Sequence, residues 1–153
     1  MSDFELRDEP YDGPSATALT AAVQLEYVER YGGPDDTPVE ASEFAPPTGV
    51  FVVGYLDDRP VAMGGLRRHD DGVVEIKRMY VVPDTRGRGL SRVMLAGLEE
   101  RAQQLGASRL ILETGLKQPE AMRLYETSGY QPIEPYGHYR CAPSSRCYAK
   151  QLS

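Results

Sequence analysis

The chain has 153 residues, of which 41% are hydrophobic and 26% charged, and its formal net charge is −6. This length suits a single domain with its own core, spanning residues 1–153, and the composition is that of a soluble globular protein. The acidic balance argues against nucleic-acid binding as the main activity, and it suits a cationic substrate such as an amine. Because no apolar run could span a membrane and the acidic start MSDFELRDEP does not resemble a secretion signal, we expect a cytoplasmic protein.

The first half of the chain predicts a short strand, a helix and a three-stranded meander. The strand covers residues 4–7, and the helix covers residues 15–31, before the pair Gly32-Gly33. Its predicted buried stripe consists of Ala18, Ala21, Ala22, Leu25 and Val28. Residues 34–47 predict a polar loop with one helical turn at 39–44. The meander strands are predicted at 49–56, 61–68 and 73–82, with turns at 57–60 and 69–72.

The second half alternates helices with strands after a glycine loop. Apolar residues repeat at i, i+3, i+4 and i+7 from Leu90 to Leu105, which predicts a helix that ends at Gly106. A strand is predicted at 108–114, a short helix at 118–128, a strand at 130–133 and an edge strand at 146–151. This order predicts an α+β fold with a mostly antiparallel sheet and helices after its central strands.

The loop between the third meander strand and the next helix reads RGRGLS, residues 86–91. Glycines allow a tight turn, and the free N–H groups at a helix start attract phosphate, although a turn that merely needs glycine is the simpler alternative. A P-loop is excluded because Leu90 stands where lysine is required. A dinucleotide fingerprint is excluded because Arg92 replaces its third glycine.

The loop and a second block together resemble the GCN5-related N-acetyltransferase (GNAT) superfamily. RGRGLS is similar to its pyrophosphate loop, with Ser91 in place of a small apolar residue. The block QPEAMRLYETSGY, residues 118–130, is similar to a second motif of this family, with Gln118 in place of asparagine. The resemblance runs from about Gly49 to Ile133. It implies the GNAT fold, with a mixed, mostly antiparallel sheet of six or seven strands and about four flanking helices.

The resemblance also implies a donor, acetyl-CoA, and no metal. The pantetheine arm would pair with the third meander strand, and the pyrophosphate would lie on the loop amides. The implied cofactor-binding residues are Met79, Tyr80, Val81, Arg86, Gly87, Arg88, Gly89, Leu90, Ser91, Gln118 and Tyr125.

Three residues are candidates for the chemistry. Glu75 stands eight residues before Pro83, where histone-type members keep a catalytic glutamate, and strand alternation would place it on one face with Lys77, Met79 and Val81. It is either the general base or an ion-pair partner of Lys77, and Glu113 is the reserve candidate. By the resemblance, the Met79 N–H would stabilise the charged thioester oxygen. Tyr125 would protonate the leaving thiolate, or it is simply a core residue.

The resemblance implies an N-acetyltransferase that acts on a primary amine of a small molecule or peptide. The alternative is a non-catalytic module that binds or senses acyl-CoA. No nucleic-acid or membrane partner is expected, and the resemblance alone suggests a homodimer. The acidic residues Asp35, Asp36, Glu40 and Glu43 are expected to form a solvated loop, although they lie where this family often contacts its acceptor. Tyr136 and Tyr139 either line the acceptor pocket or cover the core. Cys141 and Cys147 are expected to be incidental thiols, although their spacing does not exclude a disulfide.

Overall fold

The computed structural model describes residues 4–35, 39–115, 118–137 and 139–152, so part of the predicted loop at 34–47 lies outside the described residues. The seven strands are β1 Phe4–Asp8, β2 Gly49–Leu56, β3 Arg59–Asp70, β4 Val73–Val81, β5 Arg109–Gly115, β6 Gln131–Ile133 and β7 Ser145–Gln151. The helices are α1 Pro14–Tyr31, α2 Leu90–Gln104 and α3 Pro119–Thr127, with 3₁₀ turns at Ala41–Phe44 and Pro83–Thr85.

All seven strands form one sheet in the order β1-β2-β3-β4-β5-β7-β6. Strands β4 and β5 are parallel and are joined through α2, whereas the other neighbours are antiparallel. The predicted α+β class, the mostly antiparallel sheet and the helical turn before β2 are therefore confirmed. The described residues contain three α-helices instead of about four.

Two predictions about strands were wrong. Strand β7 was expected at the edge, but it pairs with β5 on one side and with β6 on the other, so β6 is the edge strand. Strand β3 runs from Arg59 to Asp70 and so includes half of each predicted turn, because the connections to β2 and β4 are tight two-residue turns. The continuous buried run VAMGGL stops before these strand ends, which are mostly exposed and carry no hydrophobic signal.

The predicted buried stripe of α1 was also wrong. Leu25 is 70% exposed and Val28 is 46% exposed, whereas Ala16, Leu19 and Val23 are buried. The buried residues recur every three to four positions, as expected for one helix face. The sequence of α1 contains two apolar stripes. The stripe that packs in the core continues to the tyrosines near the C-terminal end of the helix.

The core has two layers, one on each side of the sheet. Helix α2 contributes Met94, Leu95 and Leu98 to one layer, against residues of β2 to β5. Helix α1 and the first 3₁₀ turn form the other layer, in which Phe44 and Phe51 make an edge-to-face contact with ring centroids 5.6 Å apart. The sheet is therefore covered on both faces, and access to its centre is possible only where strands separate.

The central strands separate halfway along β4. Parallel pairing with β5 runs from Val73 to Ile76 and stops there. A bulge follows, because the register with β3 gives no partner to Arg78 or Met79, and Arg78 has a positive φ of 59°.

The bulge reverses the alternation of β4. Met79 and Val81 pack in the α2 layer, together with Ile76 and on the opposite face from Glu75 and Lys77. The prediction that Glu75 shares a face with Met79 and Val81 is therefore wrong.

Candidate active site

Two neighbouring cavities lie where β4 and β5 separate. The glycine-loop cleft, about 210 Å³, lies between α1, the end of β4, the loop 86–91 and α3. The tyrosine pocket, about 380 Å³, lies between the end of α1, β4, β5 and the segment 139–145. Tyr27 and Gln118 line both cavities, so the two spaces meet at these side chains.

The loop of the first cavity has the geometry expected of an anion site. Gly87 and Gly89 have positive φ angles of 85° and 77°, and a Cβ at either position would meet open space. Gly89 is the N-cap of α2 and makes no side-chain cap, so the first turn of the helix presents its amides to the cleft. The open approach to these amides and the positive end of the helix dipole together fit a diphosphate.

Arg86 stands at the mouth of the glycine-loop cleft and already holds a carboxylate. Its Nη2 donates to both carboxylate oxygens of Glu26 at 3.1 and 3.0 Å, and its Nε donates to the Val81 carbonyl at 3.0 Å. Arg30 bridges Glu26 on α1 to Glu120 on α3, at 3.1 and 2.8 Å. The Glu26 carboxylate therefore occupies Arg86, where the resemblance places a diphosphate. The ion pair between Arg30 and Glu120 links α1 to α3 across the opening.

Tyr125 lies inside the same cleft, next to the bulge. It is 6% exposed, and its hydroxyl donates to the Met79 sulfur at 3.8 Å. Burial raises the pKa of Tyr125 well above its ordinary value, so the phenol is protonated at neutral pH. A weak sulfur acceptor leaves this proton available to a stronger acceptor.

Glu75 is held in an ion-pair network. It is 3% exposed, Arg67 Nε donates to one oxygen at 3.0 Å, and the Tyr136 hydroxyl donates to the other at 3.1 Å. Lys77 Nζ lies 4.0 Å away. Arg67 also contacts Glu43, and Glu75 is absent from the described residues that line the two cavities. These contacts favour the ion-pair alternative over the role of base.

Glu113 does line the tyrosine pocket. Strand β5 carries it beyond the last residue paired with β4, where the strands have separated. The Ser145 hydroxyl donates to Glu113 at 3.2 Å. Burial raises the pKa of Glu113, and the charge of the nearby Lys77 partly opposes that rise. A raised pKa makes a carboxylate a better proton acceptor near neutral pH.

The sequence did not indicate the contribution of α1. Tyr27 and Tyr31 continue the buried face of this helix into the cavities at i, i+4 spacing, which is the signal that could have found them. Burial raises the pKa of Tyr27 to about 12, so this residue too keeps its proton. The Gln118 amide donates to the Tyr31 hydroxyl at 3.2 Å. Gly115 is required here, since a Cβ would lie 2.1 Å from that hydroxyl.

Most residues predicted for the cofactor are brought together. The glycine-loop cleft is lined by Met79, Tyr80, Val81, Arg86, Gly87, Gly89, Leu90, Ser91, Gln118 and Tyr125. Arg88 is exposed and is not among the described lining residues. Of the residues predicted near the acceptor, Asp35 and Tyr139 line the tyrosine pocket, and Asp36 lies outside the described residues.

Cys141 is exposed and Cys147 is buried, and both thiols are free. Among the described residues, no group of three His, Cys, Asp or Glu side chains is placed to hold a metal ion. No helix in the described part of the chain is both long and apolar enough to cross a membrane.

Comparison with known proteins agrees with this geometry. The sequence profile of the Acetyltransferase (GNAT) family matches residues 16–130. The chain is 34% identical over 140 residues to the IAA acetyltransferase of Azospirillum brasilense, covering 86% of this chain and 91% of that protein. It is 30% identical over 118 residues to the N-acetylaspartate synthetase of Rattus norvegicus, covering 76% of this chain but 40% of the relative.

Solved structures share the whole fold. An acyl-CoA N-acyltransferase from Klebsiella pneumoniae superposes with a TM-score of 0.84 at 28% identity, covering 98% of both chains. A GNAT acetyltransferase from Elizabethkingia anophelis, solved with acetyl-CoA bound, has a TM-score of 0.72 at 13% identity, covering 97% of this chain and 98% of that one. The profile match spans well over half of the chain, and the chain therefore belongs to the GNAT family of acetyltransferases.

Proposed function

We propose that the protein transfers the acetyl group of acetyl-CoA directly to a primary amine of a small molecule or peptide. The observation that carries this proposal is the meeting of two cavities at the separated strands. A phenol with a raised pKa lies in one of them, and a carboxyl with a raised pKa lies in the other. The IAA acetyltransferase and N-acetylaspartate synthetase relatives carry out acetyl transfer by name, which supports the same class of reaction.

The donor would lie in the glycine-loop cleft. The amides at the start of α2 would hold the diphosphate, together with Arg86 once it has exchanged Glu26 for the phosphates. Beyond Ile76, β4 has no partner on its β5 side, so its backbone edge can pair with an extended chain. When bound, acetyl-CoA supplies a thioester whose C–S bond breaks as the amine forms a bond to the carbonyl carbon.

The acceptor amine would enter from the tyrosine pocket, where Glu113 takes its proton. A lysine-like amine has a pKa near 10.4, so holding it neutral at pH 7 costs about 4.6 kcal/mol. A base positioned to accept this proton in the site increases the rate, typically by about 10²–10⁴-fold. Glu113 fits this role better than Glu75 does, because Glu113 is among the described residues that line the cavity, whereas both oxygens of Glu75 are held by side chains, Arg67 and Tyr136.

Two other groups would complete the transfer. The bulge removes Met79 from pairing with β3, so its N–H can stabilise the negative charge on the carbonyl oxygen. Tyr125, beside Met79, gives its proton to the leaving sulfur. An ammonium loses two protons from its nitrogen as the amide forms, one before the attack and one after it. One of them replaces the proton that Tyr125 gives to the sulfur, and the other is released through Glu113 to solvent, so that no net proton stays on the protein.

An assay of thiol release from acetyl-CoA over a panel of amines tests this proposal. The panel contains amino acids, polyamines, aminoglycosides and short peptides, and calorimetry measures donor binding separately. We expect turnover with at least one amine, together with donor binding. Tight binding of acetyl-CoA without acetylation of any amine would contradict the proposed reaction and support a binding or sensing role.

A further inference from the structure

Lys77 is a buried cation that faces the tyrosine pocket. It is 7% exposed and, among the described residues that line the pocket, it is the one basic side chain. Lysine is rarely buried unless its charge is compensated. Its contact with Glu75 is 4.0 Å, which is longer than a hydrogen bond. Because Lys77 lines the cavity and makes no hydrogen bond at this distance, its ammonium can donate to a ligand there.

The two acidic side chains among the described residues of the tyrosine pocket accept different hydrogen bonds. One oxygen of Asp35 accepts from Arg78 at 2.9 Å and the other accepts from the Tyr139 hydroxyl at 2.9 Å, so this carboxylate is already engaged. Glu113 lines the cavity and accepts from the Ser145 hydroxyl and from the backbone N–H of Tyr139. The charged chemistry that the described lining offers to a ligand is therefore one ammonium, Lys77, and one carboxyl, Glu113.

This pair of groups is complementary to a molecule that carries both an amine and a carboxylate. A carboxylate on Lys77 would receive charge-assisted hydrogen bonds in a site with little water. A diamine or polyamine would instead bring its second ammonium towards Lys77, and like charges in such a place are unfavourable. The overall acidic charge of the protein favours amines in general, whereas the local charge inside the pocket discriminates among them.

Building on the proposed function, we infer that the acceptor is an α-amino acid or a similar small zwitterion. Its carboxylate binds Lys77 and its amine points towards Glu113 and the glycine-loop cleft. Lys77 is thus the residue that selects the acceptor class. Glu75, which Arg67 holds at 3.0 Å, lies 4.0 Å from the lysine ammonium and partly compensates its charge.

Matched acceptor pairs test this inference: L-leucine against L-leucinamide, and L-phenylalanine against L-phenylalaninamide, with putrescine as a diamine. The amide lacks the negative charge and has the less basic amine, so amine protonation alone would favour the amide. We expect kcat/KM to favour at least one amino acid over its amide by about tenfold or more, and to favour it over putrescine.

The variant Lys77→Met keeps the length of the side chain and removes its charge. We expect the amino acid to amide ratio of kcat/KM to fall towards one, through a higher KM for the amino acid, and Lys77→Arg to retain part of it. Because each ratio is taken within one variant, a general loss of activity cancels. Lys150→Met is the matched control, since Lys150 pairs with Glu99 at 3.1 Å and lies outside the described lining of both cavities.

The outcomes separate this inference from the proposed function. Acetylation of amides or putrescine as efficiently as of amino acids by the wild-type protein would overturn the zwitterion inference and leave the proposed function intact. An unchanged ratio in a folded Lys77→Met variant would also overturn it. If acetyl-CoA binds and neither class of acceptor is acetylated, both proposals fail. Should Lys77→Met not fold, the wild-type ratios and Lys77→Arg still decide.

Discussion

The two cavities of this protein are built in different ways. The glycine-loop cleft takes its anion site from one continuous segment, residues 86–91, and the local backbone determines its geometry. The tyrosine pocket gathers Tyr27, Lys77, Glu113 and Tyr139 from four separate segments. A site built from a local turn and a helix start can be recognised in a sequence, whereas a site assembled by sheet topology has no contiguous signature.

The two cavities also differ in how their charged side chains are paired. In the glycine-loop cleft, carboxylates of the protein, Glu26 and Glu120, occupy the arginines near the entrance. In the tyrosine pocket Lys77 is buried, Asp35 and Glu113 are half-buried, and each carboxylate has a distinct set of donors. Changes in the first cavity should therefore act mainly on donor affinity, and changes in the second on the chemical step and on the acceptor.

The largest expected effect is that of Glu113→Gln. Removal of a general base costs about 10²–10⁴-fold in rate, and we expect a loss of kcat in this range with donor affinity little changed. The matched variant is Glu75→Gln, which weakens a buried ion pair with Arg67. It should lower the melting temperature, and it should lower kcat by less than Glu113→Gln does. Steady-state kinetics with thermal unfolding compares them. A larger kcat loss in folded Glu75→Gln would favour Glu75 as the general base, which is one of the two roles that the sequence left open.

Tyr125→Phe should follow, with a loss of about 10²-fold in kcat, because the leaving sulfur loses its proton donor while the ring and its packing stay. The ring contacts Tyr130 and Tyr148, with centroids 5.6 and 6.2 Å away, so Phe is expected to keep the fold. Tyr148→Phe is the control, because the Tyr148 hydroxyl donates to Glu126 and Tyr148 is not among the described lining residues of either cavity. Equal rates for wild type and Tyr125→Phe would exclude Tyr125 as the acid.

The sequence predicted the glycine-loop cleft well for a physical reason. Gly87 and Gly89 stand between a strand and an apolar periodic helix, and the structure gives both glycines the positive φ that only such residues adopt readily. The second block then places Tyr125 on a short helix with Pro119 in its first turn. Each of these signals is confined to a few neighbouring residues, so a single sequence was sufficient.

The tyrosine pocket could not be predicted in the same way. Its shape depends on the bulge at Arg78, which has a positive φ although it is neither glycine nor asparagine. The residue type at this position therefore does not indicate a bulge. That bulge reverses the alternation from which Glu75 was placed with Met79. The choice between the two apolar stripes of α1, and hence the position of Tyr27, also depends on packing against a distant part of the chain.

A smaller effect is expected at the entrance of the glycine-loop cleft. Glu26→Gln weakens the ion pair in which Arg86 Nη2 contacts both carboxylate oxygens, and it removes a negative charge near the diphosphate, so acetyl-CoA should bind a few-fold more tightly. Arg86→Gln should weaken binding by about tenfold, because a charge-assisted contact is lost. Calorimetry measures both, with Glu100→Gln, an exposed acid on α2, as the control for net charge. Weaker donor binding by Glu26→Gln would show that this glutamate supports the site instead of competing for it.

The smallest expected effect is a displacement of the pH profile, and it connects Glu113 with Lys77. Burial raises the pKa of Glu113, and the Lys77 charge lowers it in part. A base acts only when it is deprotonated, so kcat/KM should fall as the pH drops through the pKa of Glu113. In Lys77→Met the opposing charge is gone, the pKa rises further, and the acidic limb should move to higher pH.

The acceptor for this measurement should carry no carboxylate, so that loss of acceptor binding does not mix with the titration. L-leucinamide serves if the wild-type protein acetylates it, and Lys150→Met again controls for the removal of one lysine charge. Glu113→Gln should lose this limb altogether. A limb that moves to lower pH in Lys77→Met, or that persists in Glu113→Gln, would assign the titrating base to another residue, because removal of a neighbouring positive charge can only make a carboxyl harder to ionise.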